Sequence, residues 1–336
     1  MAEDSGSASR ARPRASHERS FALVAPELER MEALLAERME SPIGVIPQVG
    51  SHLLGAGGKR LRPLLAALAA RATDASIDVG LAVGCAAELI HTATLYHDDV
   101  VDDGRVRRGR PAARLVFGNG IVVLVGDFCL ARALDTVAAT GALPVVRALA
   151  ATVTEMAEGE VAQLEGAGNP DATIDGYFRV IDRKTASLIA WCARVGGAVP
   201  AALDGPLDRY GRSVGRAFQI VDDVLDCAAA EDVTGKSVGH DLQEGKLTLP
   251  VLLACEAEPA LRDRIRAALG DEGKGMSAGD ASTLLAAVRE AGGVERARVQ
   301  ARTLVDDALA ELSALPPSPH RDALSALALF SVHRVS

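Results

Sequence analysis

Two aspartate clusters dominate the chemistry available to this chain. Residues 91–111 read HTATLYHDDVVDDGRVRRGRP. Asp98 and Asp102 stand four apart, so a helix brings them onto one face, with Asp99 and Asp103 beside them. Like charges at this spacing destabilise a helix unless something neutralises them. Oxygen ligands with no His or Cys favour Mg²⁺, which keeps waters and shares its shell with phosphates. Arg105, Arg107, Arg108 and Arg110 follow at once. Their guanidinium forks match phosphate oxygens. The segment reads as a metal-bridged phosphate site. Alone, it also fits a solvated acidic helix end followed by a basic loop.

A second cluster weighs against that plainer reading. Residues 218–226 read FQIVDDVLD, where Asp222 and Asp226 again share a helical face and Asp223 is adjacent. Their neighbours Ile220, Val221, Val224 and Leu225 are apolar. Carboxylates among apolar residues are costly unless paired or metal-bound. Helical bundles build metal sites from acids on facing helices. A di-iron site would also use Glu-x-x-His, which neither cluster contains.

Basic segments complete the set. In GGKRLRP, Lys59 and Arg62 open an apolar helical run, a favourable place for an anion. Arg183, Lys184 and Thr185 open another. Gly235-Lys236-Ser237 invites a P-loop reading, but the required first glycine is Ala230 and no clear strand precedes it.

These groups need helices to position them, and the pattern is helical almost throughout from Phe21. Leu23, Leu28, Met31, Leu34 and Leu35 fall near helical spacing, as do Leu61, Leu64, Leu65, Leu68 and Ala69. The apolar run Ile121 to Val125 reads as buried helix because its flanks are helical. Breaks are expected at Pro42–Pro47, Gly55–Gly58, Gly104–Pro111, Gly166–Pro170, Gly196–Pro206, Val233–Gly245 and Gly270–Asp280. No composition shift divides the 336 residues, so one large all-α unit over 21–336 is expected. Residues 1–20, rich in Ser, Ala and Arg, read as a disordered tail.

Composition limits the partners. Asp and Glu number 45 against 36 Lys and Arg, a net charge of −9 that disfavours nucleic-acid binding. Five cysteines form no CxxC pair, which fits reduced thiols in the cytoplasm. The apolar stretch Ile77–Ile90 is interrupted by Asp78 and Glu88, so no transmembrane segment is expected.

Taken together, GGKRLRP, HDDVVDDGRVRRGRP, KTASL, FQIVDDVLD, GKSVGHDL and EGKLTLP resemble, in order, the trans-isoprenyl diphosphate synthases, or polyprenyl synthetases. The resemblance runs from about Gly57 to Leu253. It implies the isoprenoid synthase fold, a helical bundle around a central cavity, in a homodimer that condenses isopentenyl diphosphate with an allylic diphosphate. It also implies three Mg²⁺ ions, held by Asp98, Asp102 and Asp222 with Asp226 in support. By the same motifs Arg107, Lys184 and Lys236 would meet the allylic diphosphate. Lys59, Arg62, His91 and Arg108 would hold isopentenyl diphosphate, and Thr185 and Gln219 would lie near the reacting carbons. His91 also fits an ordinary core histidine.

The resemblance further implies a product tunnel below the first cluster. The positions four and five before Asp98 are small, Thr94 and Ala93, and helical geometry points Tyr96 elsewhere. The segment most resembles enzymes making long all-trans quinone side chains. A plug such as Phe117 or Phe128 would instead give a farnesyl or geranylgeranyl product. A terpene cyclase is disfavoured by the intact second cluster and by Lys59 and Arg62. A non-catalytic helical interaction protein would show no Mg²⁺-dependent stabilisation by diphosphate.

Overall fold

The computed structural model describes residues 18–54, 60–228, 239–270 and 275–333. It is helical nearly throughout, as the sequence periodicity requires. In chain order the helices are α1 (Ala25–Arg38), α2 (Val45–Leu54), α3 (Leu61–Thr73), α4 (Ile77–Val101), α5 (Ala113–Phe117) and α6 (Asn119–Ala138). They continue with α7 (Leu143–Gly166), α8 (Ile174–Ile181), α9 (Ser187–Ala193), α10 (Ala201–Ala228) and α11 (His240–Gln243). The last are α12 (Leu249–Ala257), α13 (Pro259–Leu269), α14 (Ala278–Glu290), α15 (Gly293–Glu311) and α16 (Pro319–Val332).

The long α4 runs through the middle, packed on α3 and α6. It is apolar on nearly every face, the pattern of a helix enclosed by others. The buried Glu88 is neutralised by Arg60 Nη1 at 3.0 Å. By length and composition alone, despite Asp78 and Glu88, α4 is long and apolar enough to cross a membrane. In the structure 78% of its most apolar window is buried inside the bundle. Ser76 caps its first turn, accepting from Val79 N.

The second axis is α10, which packs on α9, α15 and the turn before α9. Gly211 and Gly215, one turn apart, set how close that approach is. A Cβ on Gly211 would lie 2.4 Å from Ala190 Cα, and one on Gly215 would lie 2.6 Å from Ala186 Cα. Small residues on both helices thus bring the backbone of residues 186–190 directly onto α10. Gln219, one turn beyond Gly215, is thereby carried to the same seam. A smaller core under α11 to α14 joins Leu242, Val251, Leu252, Ile265 and Leu285.

Several sequence expectations need adjustment. Residues 18–23 are helical and Ser20 is buried, so the ordered chain starts before Phe21; residues 1–17 of the expected tail lie outside the described residues. The break at Gly196–Pro206 is shorter than expected, because α10 starts at Ala201 and carries Pro206 inside it. Ile121–Val125 is helical, within α6. The Gly104–Pro111 break contains a small hairpin, in which Val106 pairs with Pro111 and Arg107 with Arg110. Its two turn residues, Arg108 and Gly109, have φ of 52° and 74°. Positive φ at both central residues is what a tight two-residue hairpin requires.

Candidate active site

Asp98 lies in the last turn of α4, and Asp102 caps it by donating its backbone N–H to Asp98 O at 2.8 Å. The predicted spacing is realised. Burial, together with the Glu160 and Asp102 charges, pushes the Asp98 carboxyl up to about 6, against the opposing pull of Lys184 and Arg107. This is an incompletely neutralised acid. Asp99, buried, takes a different part: Arg107 Nε donates to its Oδ1 at 2.8 Å and Nη2 lies at 2.6 Å. The ion pair ties the hairpin to the end of α4. Arg107, expected on a diphosphate, is in this state engaged with Asp99. Arg108 Nη1 donates to Leu53 O at 3.1 Å and so anchors the hairpin to α2.

Basic groups gather around His91, one turn after Glu88 on α4. Burial and the charges of Arg62, Arg108, Arg107 and Arg60 hold its imidazole well below the usual histidine range, in the neutral form. Arg62 Nε is buried and makes no hydrogen bond. Arg62 and Arg108 are thus brought near a neutral His91. Lys59 and Lys236 lie outside the described residues.

The second cluster is carried by α10. Asp223 is 3% exposed and accepts from Tyr177 Oη at 2.5 Å and Gln219 Nε2 at 2.9 Å. Burial, with the charges of Asp222 and Asp226, pushes it up to about 7 although both hydrogen bonds oppose the shift. Asp222 is partly buried beside it. Asp226 receives the backbone N–H groups of His240 at 3.2 Å and Asp241 at 3.3 Å, starting α11. That capping use is additional to the ligand role expected of it.

Lys184 and Thr185 sit in a wide π-type turn, Asp182–Ala186, between α8 and α9. Such turns recur at functional sites. Gly159 of α7 makes room for it: a Cβ there would lie 2.6 Å from Lys184 N. Lys184 Nζ pairs with Glu160 Oε2 at 2.5 Å, and Thr185 Oγ1 donates to Gln219 Oε1 at 3.0 Å. Asp182 anchors the turn by accepting from Arg212 Nη1 at 3.1 Å and Arg216 Nε at 2.8 Å.

A cavity of about 560 Å³ opens among these elements. Lys184, Thr185, Gln219, Asp223 and Lys246 all line it. Lys246 ties its own loop to the first cluster, with Nζ 3.5 Å from Asp102 Oδ1 and 2.8 Å from Glu244 Oε2. Its loop is fixed by close backbone crossings: Gly168 N donates to Gly245 O at 2.9 Å and Met276 N to Gln243 O at 3.0 Å. Sequence reasoning quoted EGKLTLP but gave Lys246 no role, and it missed Glu160, Tyr177 and Asp241. Lys246 was readable from its motif. The contacts of Tyr177 and Glu160 carry no local signal.

Among the described residues, no three acidic, His or Cys side chains converge into a ready metal cage. The oxygen donors of Asp98, Asp102, Asp222 and Asp226 are of the kind that suits a hard divalent cation. The raised Asp98 acid fits as well, since an added cation would neutralise it.

A polyprenyl synthetase family profile matches residues 44–285, most of the chain. This chain belongs to the polyprenyl synthetase family. It is 40% identical over 317 residues to octaprenyl diphosphate synthase of Escherichia coli (strain K12), covering 93% of this chain and 97% of that protein. A decaprenyl diphosphate synthase from Rhodobacter capsulatus superposes with a TM-score of 0.88 at 40% identity, covering 95% of this chain and 99% of the other. A polyprenyl synthase from Caulobacter crescentus, solved with calcium and isoprenyl diphosphate, gives 0.89 at 37% identity over 95% and 98% of the two chains. The all-α isoprenoid synthase fold expected from the motifs is the fold of this polyprenyl synthetase.

Proposed function

We propose that the protein condenses isopentenyl diphosphate, head to tail and repeatedly, onto an allylic diphosphate, giving a long all-trans polyprenyl diphosphate. The observation that carries this is that Lys246, which lines the cavity together with Asp223 of the second acidic cluster, reaches Asp102 of the first at 3.5 Å. The alignment with octaprenyl and decaprenyl synthases along nearly the whole chain supports the long product.

The allylic C–O bond must break, leaving a carbocation and a diphosphate. Mg²⁺ held by Asp98, Asp102, Asp222 and Asp226 would supply positive charge to the departing diphosphate. Lys184 and Lys246 supply further cationic donors at the same cavity, with Arg107 released from Asp99 and Lys236 as the motif implies. Lys59, Arg62, His91 and Arg108 hold isopentenyl diphosphate, His91 as a neutral donor. Thr185 and Gln219 turn oxygens toward the reacting carbons. The isopentenyl double bond attacks the cation, and a proton then passes to the released diphosphate. Water that would quench the cation has to be excluded while it exists.

The working form we propose is a cytoplasmic homodimer. Leu115, Val116, Ile121 and Leu124 are exposed on α5 and the start of α6, an apolar face suited to a second copy. The five cysteines are unpaired and buried, consistent with a reducing compartment.

A product assay tests the activity. Purified protein receives Mg²⁺, labelled isopentenyl diphosphate and, separately, dimethylallyl, geranyl, farnesyl and geranylgeranyl diphosphate. Dephosphorylated products extending to heptaprenyl or beyond are expected. A ladder stopping at farnesyl or geranylgeranyl overturns the long-chain reading, and no elongation overturns the activity.

A further inference from the structure

We propose that Tyr177 and Asp223 are positioning residues that lock the amide of Gln219 so that its carbonyl oxygen, alongside Thr185 Oγ1, faces the carbon that becomes cationic. The inference rests on the placement of Thr185 and Gln219 beside the reacting carbons proposed above.

The hydrogen bonds form one directed chain. Tyr177 Oη donates to Asp223 Oδ2 at 2.5 Å, Gln219 Nε2 donates to Asp223 Oδ1 at 2.9 Å, and Thr185 Oγ1 donates to Gln219 Oε1 at 3.0 Å. All four residues line the same cavity. The two oxygens of Asp223 accept from Tyr177 Oη and from Gln219 Nε2, so the end of the Gln219 amide facing Asp223 is its NH₂. The carbonyl end is then forced toward Thr185. Thr185 has one proton and gives it to that carbonyl. Its lone pairs, and the second lone pair of Gln219 Oε1, are left unused by the chain.

A free glutamine would present its NH₂ or its carbonyl with little preference. A fixed dipole aimed at developing charge needs no reorganisation at the moment of reaction, which is where such groups are most effective. Tyr177 contributes by holding the far carboxylate oxygen. Burial and the Asp223 charge hold its phenol protonated, so it remains a donor. Its place at the cavity wall is set by α8, which Thr173 caps by accepting from Gly176 N at 3.1 Å.

The test is a double-mutant cycle on turnover. Wild type, Tyr177→Phe, Gln219→Leu and the double variant are compared for kcat, for KM of each substrate, and for the thermal shift given by Mg²⁺ with pyrophosphate. Tyr177→Phe is expected to lower kcat roughly tenfold, because it loosens a preorganised dipole without removing it. Both KM values should stay within about twofold, and the pyrophosphate shift should match wild type. In the Gln219→Leu background the same change should cost nothing more. Additive losses overturn the proposal. So does an unchanged kcat in Tyr177→Phe, or a parallel loss of the pyrophosphate shift, which would place Tyr177 in diphosphate binding. If Tyr177→Phe fails to fold, Asp223→Asn enters the same cycle and is read by its coupling to Gln219→Leu. An inactive wild type overturns the proposed activity and this inference together, whereas an active wild type with additive losses overturns this inference alone.

Discussion

Lys246 Nζ stands 3.5 Å from Asp102 Oδ1 and 2.8 Å from Glu244 Oε2, so one ammonium joins the loop after the second acidic cluster to the end of the first. Burial alone would lower its pKa. The Glu244 hydrogen bond and the Asp102, Glu244 and Asp241 charges outweigh it and raise it, so the group is cationic throughout the working range. A partly buried cation poised between acids suits a departing diphosphate. Lys246→Met should raise KM for the allylic diphosphate by roughly tenfold to a hundredfold, the scale of a charge-assisted hydrogen bond. KM for isopentenyl diphosphate should hold within about twofold. Steady-state kinetics with each substrate varied would check this, and equal increases for both would place Lys246 outside the allylic site.

The aspartates themselves admit a direct check. Asp98→Ala and Asp222→Ala should each reduce turnover by roughly a hundredfold or more, since each removes charge that the leaving group requires. The Asp98 change should not lower Tm, because it removes a carboxylate crowded by others and partly stripped of water. Near-normal turnover with an intact melt would disqualify either residue as a ligand.

The legible part of this site was the part fixed by helical spacing. Asp98 and Asp102, or Asp222 and Asp226, fall on one face whatever surrounds them, so the sequence alone could pair them. Thr185 meeting Gln219 was legible only through the resemblance. Physically it depends on Gly211 and Gly215 letting Ala186 and Ala190 press against α10. Lys246 reaches Asp102 because backbone crossings at Gly168–Gly245 and Gln243–Met276 set its loop, and such crossings have no period to read. Arg107 shows what spacing leaves open. Its position beside the acids was clear, but the buried Asp99 competes for its guanidinium.

Gly159 gives a prediction about packing. A Cβ there would meet Lys184 N at 2.6 Å and Arg183 Cβ at 2.8 Å. The first contact is backbone, so the π-type turn itself must move. Gly159→Ala should cost about 1–3 kcal/mol, the usual range for overpacking. It should also lower kcat more than its stability loss accounts for, because Lys184 and Thr185 ride on that turn. A denaturant midpoint and a turnover assay below the unfolding range would separate the two effects. Wild-type values for both would show that the turn has slack.

Alkaline pH should weaken the fold. Burial pushes the thiols of Cys85, Cys129 and Cys192 up to about 12 from an ordinary value near 9. Below pH 9 both folded and unfolded thiols stay protonated and their contribution is complete. Above it the unfolded chain ionises first, so stability is lost as pH rises from about 9 toward 12. Tm should be flat from pH 7 to 8.5 and fall beyond. The Cys85→Ala, Cys129→Ala, Cys192→Ala triple variant should fall less steeply, and an equal slope would assign the loss to other groups.

The resemblance implies that product length is set on the helix face below Asp98, and the structure separates the two small residues there. Ala93 is fully buried, whereas Thr94 is only partly so, with its hydroxyl donating to His91 O at 2.9 Å. A large ring at Ala93 has no space and should destabilise the bundle by about 1–3 kcal/mol or more. A ring at Thr94 replaces a side chain that already borders open space. Thr94→Phe should therefore fold and shift the products toward shorter chains, with total isopentenyl incorporation falling in proportion. Resolving dephosphorylated products by chain length would decide it. An unchanged ladder from a well-folded Thr94→Phe protein would mean that the growing chain does not pass that face of α4, and that the length control lies on another wall.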